Sequence, residues 1–181
     1  MPALNPEEYT IDDIYALPDG QRAELIDGVI YNMAPPTIKH QYLVTKLVSK
    51  IDRYIEEKKG NCQVYASPFA VFLNENNKNY VEPDISVVCD PSKLENGKGC
   101  MGSPDWIIEI VSPSTKNMDY GLKLFKYCNS GVREYWIVDP MRNTIMVYNF
   151  ENETTVETYT FADKVKAGIY EDLEIDFSEI S

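Results

Sequence analysis

The sequence predicts a mixed α/β (α+β) fold: a mixed β-sheet flanked by helices, with an N-terminal hairpin and a C-terminal β-meander. Three observations carry this. The stretches "WIIEIVS" at 106–112 and "EYWIVD" at 134–139 are apolar almost without alternation, as strands buried on both faces are. Between them "MDYGLKLFKYCNS" reads as a helix, making a strand–helix–strand crossover of the kind that joins parallel neighbours. Residues 38–58 place Val44, Leu47, Val48, Ile51 and Ile55 at the 3-4 spacing of one buried helix face.

The remaining elements follow in order. "TIDDIYAL" opens on Thr10 with Asp13 three residues on, a capping-box pattern for a short helix. "RAELIDGVIYNM" holds two short strands around the turn dipeptide Asp27-Gly28. After the long helix, "CQVYASPFAVFL" and "YVEPDISVV" are strand-like runs separated by the polar loop "NENNKN". Gly131 ends the crossover helix. "NTIMVYNF", "TVETYTF" and "EDLEIDF" read as the short strands of the meander. No repeat, linker or low-complexity tract divides the chain, so the expectation is a single domain over residues 1–181.

With 181 residues, 44% of them hydrophobic, the chain can build a full core without staples. No apolar run approaches the roughly 18 residues that cross a bilayer. The N-terminal "MPALNPEEYT" lacks a basic segment followed by an apolar one, so a cytoplasmic protein with no membrane association is expected. Cys62, Cys89, Cys100 and Cys128 show no CxxC spacing, and reduced thiols are the expectation. A formal net charge of −12 argues against a generic nucleic-acid binder. The charge is uneven, however. Acids crowd residues 151–181, while Lys39, Lys46, Lys50, Arg53, Lys58 and Lys59 give the long helix a basic stretch.

Glu109 is the anomaly. It sits at the centre of an apolar strand, where an unpaired carboxylate costs several kcal/mol or more. Residues two apart share a face, so Glu109 points with Ile107 and Val111, and Asp105 lies on that side too. Asp84 follows Pro83 at the entrance of the preceding strand. If the two strands are neighbours, Asp84 and Glu109 converge and raise each other's pKa. A divalent cation removes that cost, and hard oxygen ligands suit Mg²⁺ or Mn²⁺. Taken singly, each residue also has a plainer reading. Asp84 and Asp105 follow prolines as turn caps do, Glu109 pairs with a lysine or arginine, and Lys123 pairs with Asp119 at i−4.

The combination resembles the Uma2-like (DUF820) family, a branch of the PD-(D/E)XK nuclease superfamily with a restriction-endonuclease-like fold. The resemblance runs through "ELIDGVIYNMAPP", His40 and "EPDISVV". It is densest in "GSPDWIIEIVSPST" and "DYGLKLFKYCNSGVREYWIVDP". Pro83-Asp84 matches the first half of the motif and Glu109-Ile110-Val111 the second, with valine where the superfamily usually has lysine. Uma2-like proteins carry that lysine on the following helix, and Lys123 matches it, with Lys126 as a neighbouring alternative. The resemblance implies phosphodiester hydrolysis of DNA, with Asp84, Glu109 and the Val111 carbonyl holding Mg²⁺ or Mn²⁺. Lys123 would position or deprotonate the water, or stabilise developing charge. Glu24 and His40 also match family positions, as a reach to a second metal and as part of the site wall. A homodimer, pairing two sites to cut both strands, is a further expectation of this kind.

Two other readings stand beside the endonuclease. One is a nuclease-fold protein that no longer cleaves and acts as a DNA-binding or regulatory module. The other is a metal-dependent hydrolase with a different substrate.

Overall fold

The computed structural model describes residues 8–74, 76–151 and 154–180. The expectation about a leader rests in part on residues 1–7, which lie outside this range. A short helix α1 (Ile11–Tyr15) precedes the hairpin of β1 (Ala23–Ile26) and β2 (Val29–Asn32). The Asp13 carboxylate accepts from the Thr10 N–H at 2.7 Å, closing the capping box. Asp27 and Gly28 both have positive φ, 50° and 76°, as a two-residue turn matched to strand twist requires.

The long helix α2 (Ile38–Lys58) has Thr37 as its N-cap, and the Thr37 hydroxyl accepts from the His40 N–H at 3.2 Å. Then come β3 (Gln63–Ala66), β4 (Val71–Phe72), β5 (Ile85–Val88), β6 (Cys100–Met101) and β7 (Trp106–Ile110). The run "CQVYASPFAVFL" is thus two strands rather than one, parted where Pro68 offers no N–H to a ladder. The crossover helix begins as a π-helical segment, Met118–Lys123, and continues as α3 (Leu124–Ser130). Gly131 closes it in the left-handed conformation at φ 96°. The chain ends with β8 (Glu134–Asp139), β9 (Thr144–Asn149), β10 (Thr155–Thr160), β11 (Lys164–Lys166) and β12 (Glu174–Asp176).

The main sheet is mixed, in the order β10-β9-β8-β7-β5-β3. β7 and β8 pair in parallel through the crossover, and every residue of both is buried. Of the expected meander, β9 and β10 pair antiparallel, and β9 continues the sheet to β8. The segment "EDLEIDF" departs from it: β12 pairs with β11 in a separate two-stranded ribbon.

The pleat of β7 splits the core. Trp106, Ile108 and Ile110 pack with Leu43, Leu47 and Ile51 of α2 on one face. Ile107 and Val111 pack with Tyr127, Tyr135 and Ile137 on the other. Each fully buried large apolar side chain contributes roughly 1.5–3 kcal/mol. The chain can therefore hold one acid in the middle of β7, and Glu109 lies on the second face, beneath the crossover helix.

Two expectations about surface and redox chemistry change. Cys62 and Cys89 are joined by a disulfide rather than reduced; Cys100 and Cys128 are free. The antiparallel register of β3 and β5 pairs Gln63 with Val88, which brings the flanking cysteines opposite each other. Spacing along the chain carries no trace of that pairing. The basic stretch of α2 is also partly neutralised, because Lys50 pairs with Glu179, Lys58 with Asp172 and Arg53 with Glu57. Among the described residues no helix is long and apolar enough to cross a membrane.

Candidate active site

β5 and β7 are antiparallel neighbours with Ile85 opposite Ile108, so Asp84 lies beside Glu109 at one end of the pair. The Asp84 N–H donates to Glu109 Oε2 at 3.2 Å, and the Ile110 N–H donates to Asp84 Oδ2 at 2.8 Å. The two carboxylates are thus latched to each other's strands through the backbone.

Glu109 is 3% exposed and does not stand unpaired. Lys123 Nζ and the Tyr127 hydroxyl both donate to its Oε1 at 2.9 Å. Lys123 is also 2.9 Å from Glu24 Oε2, and Glu24 Oε1 accepts the Glu82 N–H at 3.0 Å. Lys123 comes from the π-helical segment, which lies over the second face of the sheet. π-helical turns recur at functional sites, and this one carries both Asp119 and Lys123.

Charge is out of balance here. Burial pushes the Glu109 carboxyl well above the usual carboxylate range; Lys123 opposes this, while Asp84, Asp119 and Glu24 add to it. Burial also works against a charged Lys123. Glu109, Glu24 and Asp119 outweigh it, holding the amine well above the ordinary lysine value. Lys123 therefore stands as a protonated donor.

Asp119 is 1% exposed, and among the described residues neither carboxylate oxygen has a partner in good hydrogen-bonding geometry. Burial raises it to about 6, against the pull of Lys123 and the nearby Thr115 hydroxyl. The i−4 spacing suggests an exposed Asp119–Lys123 ion pair; the structure buries both residues instead.

His40 reaches the same place from the first turns of α2. Its Nε2 lies 2.9 Å from Asp84 Oδ2, a contact that selects the Nε2–H tautomer for a neutral ring. Its Nδ1 is buried and has no hydrogen-bond partner among the described residues.

Glu24, His40, Glu82, Asp84, Glu109 and Lys123 line a cavity of about 470 Å³. Tyr31, Met33, Pro35 and Pro36 form an apolar part of its wall, and Ser112 and Ser114 add hydroxyls. The Ser112 hydroxyl is within 3.0 Å of Ser114 and 3.1 Å of Thr115, so the "SPST" segment first closes on itself as a turn into the helix.

Of the residues singled out in the sequence, Asp84, Glu109, Lys123, Glu24 and His40 meet in this cavity. Val111 directly follows β7 and is buried, its N–H donating to the Val138 carbonyl at 2.8 Å. Two do not join them. Asp105 lies beyond the other end of β7, where it accepts from the Cys89 N–H at 2.8 Å and from Arg133 at 3.2 Å. Lys126 pairs with Asp27 at the hairpin turn.

Asp119, Lys123 and Tyr127 stand at intervals of four, the spacing that the family resemblance carries, and the structure gives the tyrosine Glu109 as its partner. Arg22 and Glu82 are not among the residues singled out in the sequence. Arg22 stands two residues before Glu24, and Glu82 two before Asp84, so strand alternation would have flagged both.

Residues 7–178 match the Uma2 family model, described as "Putative restriction endonuclease". The chain belongs to the Uma2 family. A relative, the uncharacterized protein slr1290 of Synechocystis sp. (strain ATCC 27184 / PCC 6803 / Kazusa), is 27% identical over 169 residues, covering 92% of this chain and 85% of its own. The Uma2 fold is also shared with a crystal structure from Anabaena variabilis ATCC 29413, described as a putative nuclease belonging to DUF820. The TM-score is 0.76 at 23% identity, over 94% of this chain and 96% of that one.

Proposed function

We propose that this Uma2 protein is a metal-dependent DNA endonuclease, built as a single nuclease domain, that hydrolyses phosphodiester bonds in the cavity around Glu109. The observation that carries the reading is the convergence of Asp84, Glu109 and Lys123 from two strands and the crossover helix. The family's description supports it.

The donor set fits Mg²⁺ or Mn²⁺. Glu24, Glu82, Asp84 and Glu109 line the cavity against Lys123 and Arg22, a surplus of hard anionic oxygen that a divalent cation relieves. Among the described residues no three His, Cys, Asp or Glu side chains gather closely enough to hold a metal by themselves. That agrees with a site of two carboxylates completed by main chain, water and substrate, as Mg²⁺ prefers. Asp84 and Glu109 would hold the ion, with the Val111 carbonyl as third donor. When bound, such an ion lowers the pKa of a water and offsets charge on the phosphoryl group.

The protein's own groups do the rest. Lys123, protonated and fixed between Glu109 and Glu24, donates to the attacking water or to a phosphoryl oxygen. His40 and the Ile110 N–H hold the Asp84 carboxylate in one orientation. Tyr127 does the same for Glu109. Nicking of supercoiled plasmid by purified protein tests the reading. Cutting should appear with Mn²⁺ or Mg²⁺, vanish with EDTA and be lost in Asp84→Asn. Cutting that persists in Asp84→Asn would refute the assignment of the site.

A further inference from the structure

The cavity contains a second cation that the metal-centred chemistry leaves unused. Lys123 and Arg22 are the lysine and arginine side chains that line it. Lys123 is 4% exposed and committed to two carboxylates. Arg22 is different. Its side chain is 39% exposed, yet the guanidinium is fixed. Nε donates to Glu82 Oε2 at 2.8 Å, Nη2 donates to the same oxygen, and Nη2 also reaches the Ser67 hydroxyl at 2.6 Å. Nη1 has no partner among the described residues.

The support behind Arg22 is itself rigid. Glu82 is buried, its Oε1 accepts from the Tyr80 hydroxyl at 2.6 Å, and its N–H is held by Glu24. One edge of the guanidinium is therefore spent on anchoring, and a donor is left over on a side chain that borders the cavity. An acid-rich cavity repels a polyanion, and a guanidinium held in one orientation with Nη1 left over offsets that, because it stays charged and donates charge-assisted hydrogen bonds to phosphate oxygens.

We propose that Arg22 is a substrate-positioning residue of this site, binding a phosphate next to the one cleaved. The inference rests on the nuclease reading of the same cavity. The rival explanation is that Arg22 only neutralises buried Glu82. Removing Arg22 alone leaves that carboxylate uncompensated, so single variants confuse the two.

The decisive comparison uses the Arg22→Gln/Glu82→Gln double variant, which removes one charge of each sign, beside Glu82→Gln alone and Arg22→Lys. Cleavage of fluorescently labelled DNA with Mn²⁺ gives kcat and KM, and thermal denaturation reports the fold. The double variant should melt within a few degrees of wild type, with KM raised at least tenfold and kcat changed less than threefold. Glu82→Gln keeps an oxygen that can accept from Arg22, so its KM should rise at least threefold less than that of the double variant. Arg22→Lys retains the charge opposite Glu82, and so the fold, but has no second nitrogen to hold out beyond the one that pairs with Glu82; its KM should rise at least threefold. A native KM in both Arg22 variants overturns the proposal and leaves the nuclease intact. If wild type cuts no DNA with either metal, the nuclease reading fails, and fluorescence anisotropy with the same labelled DNA decides the role of Arg22. Binding at least tenfold weaker in the double variant supports a phosphate contact. Equal binding, or none by wild type, overturns it.

Discussion

Lys123 Nζ lies 2.9 Å from Glu109 Oε1, although fourteen positions separate the two residues along the chain. The strand supplies the carboxylate and the crossover helix supplies the ammonium group. The same amine bridges to Glu24 on the N-terminal hairpin, so three elements meet at one nitrogen.

Removing that nitrogen exposes the electrostatic problem it solves. In Lys123→Met, Glu109 and Glu24 are left buried without a counter-charge, which should cost about 3–5 kcal/mol of stability in metal-free protein. Adding Glu109→Gln should recover at least half of the loss. Urea denaturation at pH 7.5 measures both, and a loss below about 1 kcal/mol would mean that the pair is screened as a surface pair is.

His40 touches Asp84 and orients its carboxylate. His40→Ala should raise the Mn²⁺ concentration for half-maximal cleavage roughly 10- to 100-fold, the usual effect of losing a group behind a ligand. The rate at saturating Mn²⁺ should change far less. Equal metal dependence in wild type and variant would deny His40 this role.

Glu134, at the start of β8, supplies a pH signature away from the cavity. It is fully buried and accepts from Trp136 and from the Ile169 N–H at 2.8 Å. Burial nevertheless pushes its carboxyl from the ordinary 4.5 to about 7. Its folded pKa lies above its unfolded one, so the unfolded chain gives up this proton first. Stability should then fall as pH rises from about 4.5 to about 7, by roughly 3 kcal/mol. Asp119 titrates in the same window, so the fall due to Glu134 should appear as the difference in denaturant midpoints between wild type and Glu134→Gln. Parallel profiles would show that the N–H donors offset burial.

The Cys62–Cys89 disulfide closes a separation of 27 residues. Loop entropy for that length corresponds to about 3.5 kcal/mol. Reduction, or Cys62→Ser/Cys89→Ser, should lower unfolding free energy by an amount of that order. Thiol titration in denaturant should find two free thiols before reduction and four after. Four at the outset would restore the expectation of reduced cysteines.

The parts of this structure that the sequence announces are those written in local period. Residues 38–58 repeat at helical spacing, the strands around 106–112 and 134–139 lack alternation, and Asp27-Gly28 marks its turn. Glu109 stands out because an acid sits at the centre of an apolar strand and Asp84 because it follows Pro83 at the entrance of the neighbouring one, whereas Lys123 is marked by the family resemblance alone. What was hidden depends on register between distant segments. Arg22 finds Glu82 across sixty positions, and Cys62 finds Cys89 only through the pairing of β3 with β5. The ribbon of β11 and β12 has the same origin, since three-residue strands carry too little pattern to show which partner they take.

Plasmid cleavage by Lys123→Met and Lys126→Met in Mn²⁺, with rates divided by the folded fraction from circular dichroism, tests the helix-borne lysine most directly. Lys123 lines the cavity, whereas Lys126 is tied to Asp27 at the hairpin turn. Lys126→Met should cut at close to the wild-type rate, and Lys123→Met should fall at least 100-fold, the scale of a donor aimed at developing charge. Metal-dependent cutting that survives in Lys123→Met, or disappears in Lys126→Met instead, would contradict the assignment.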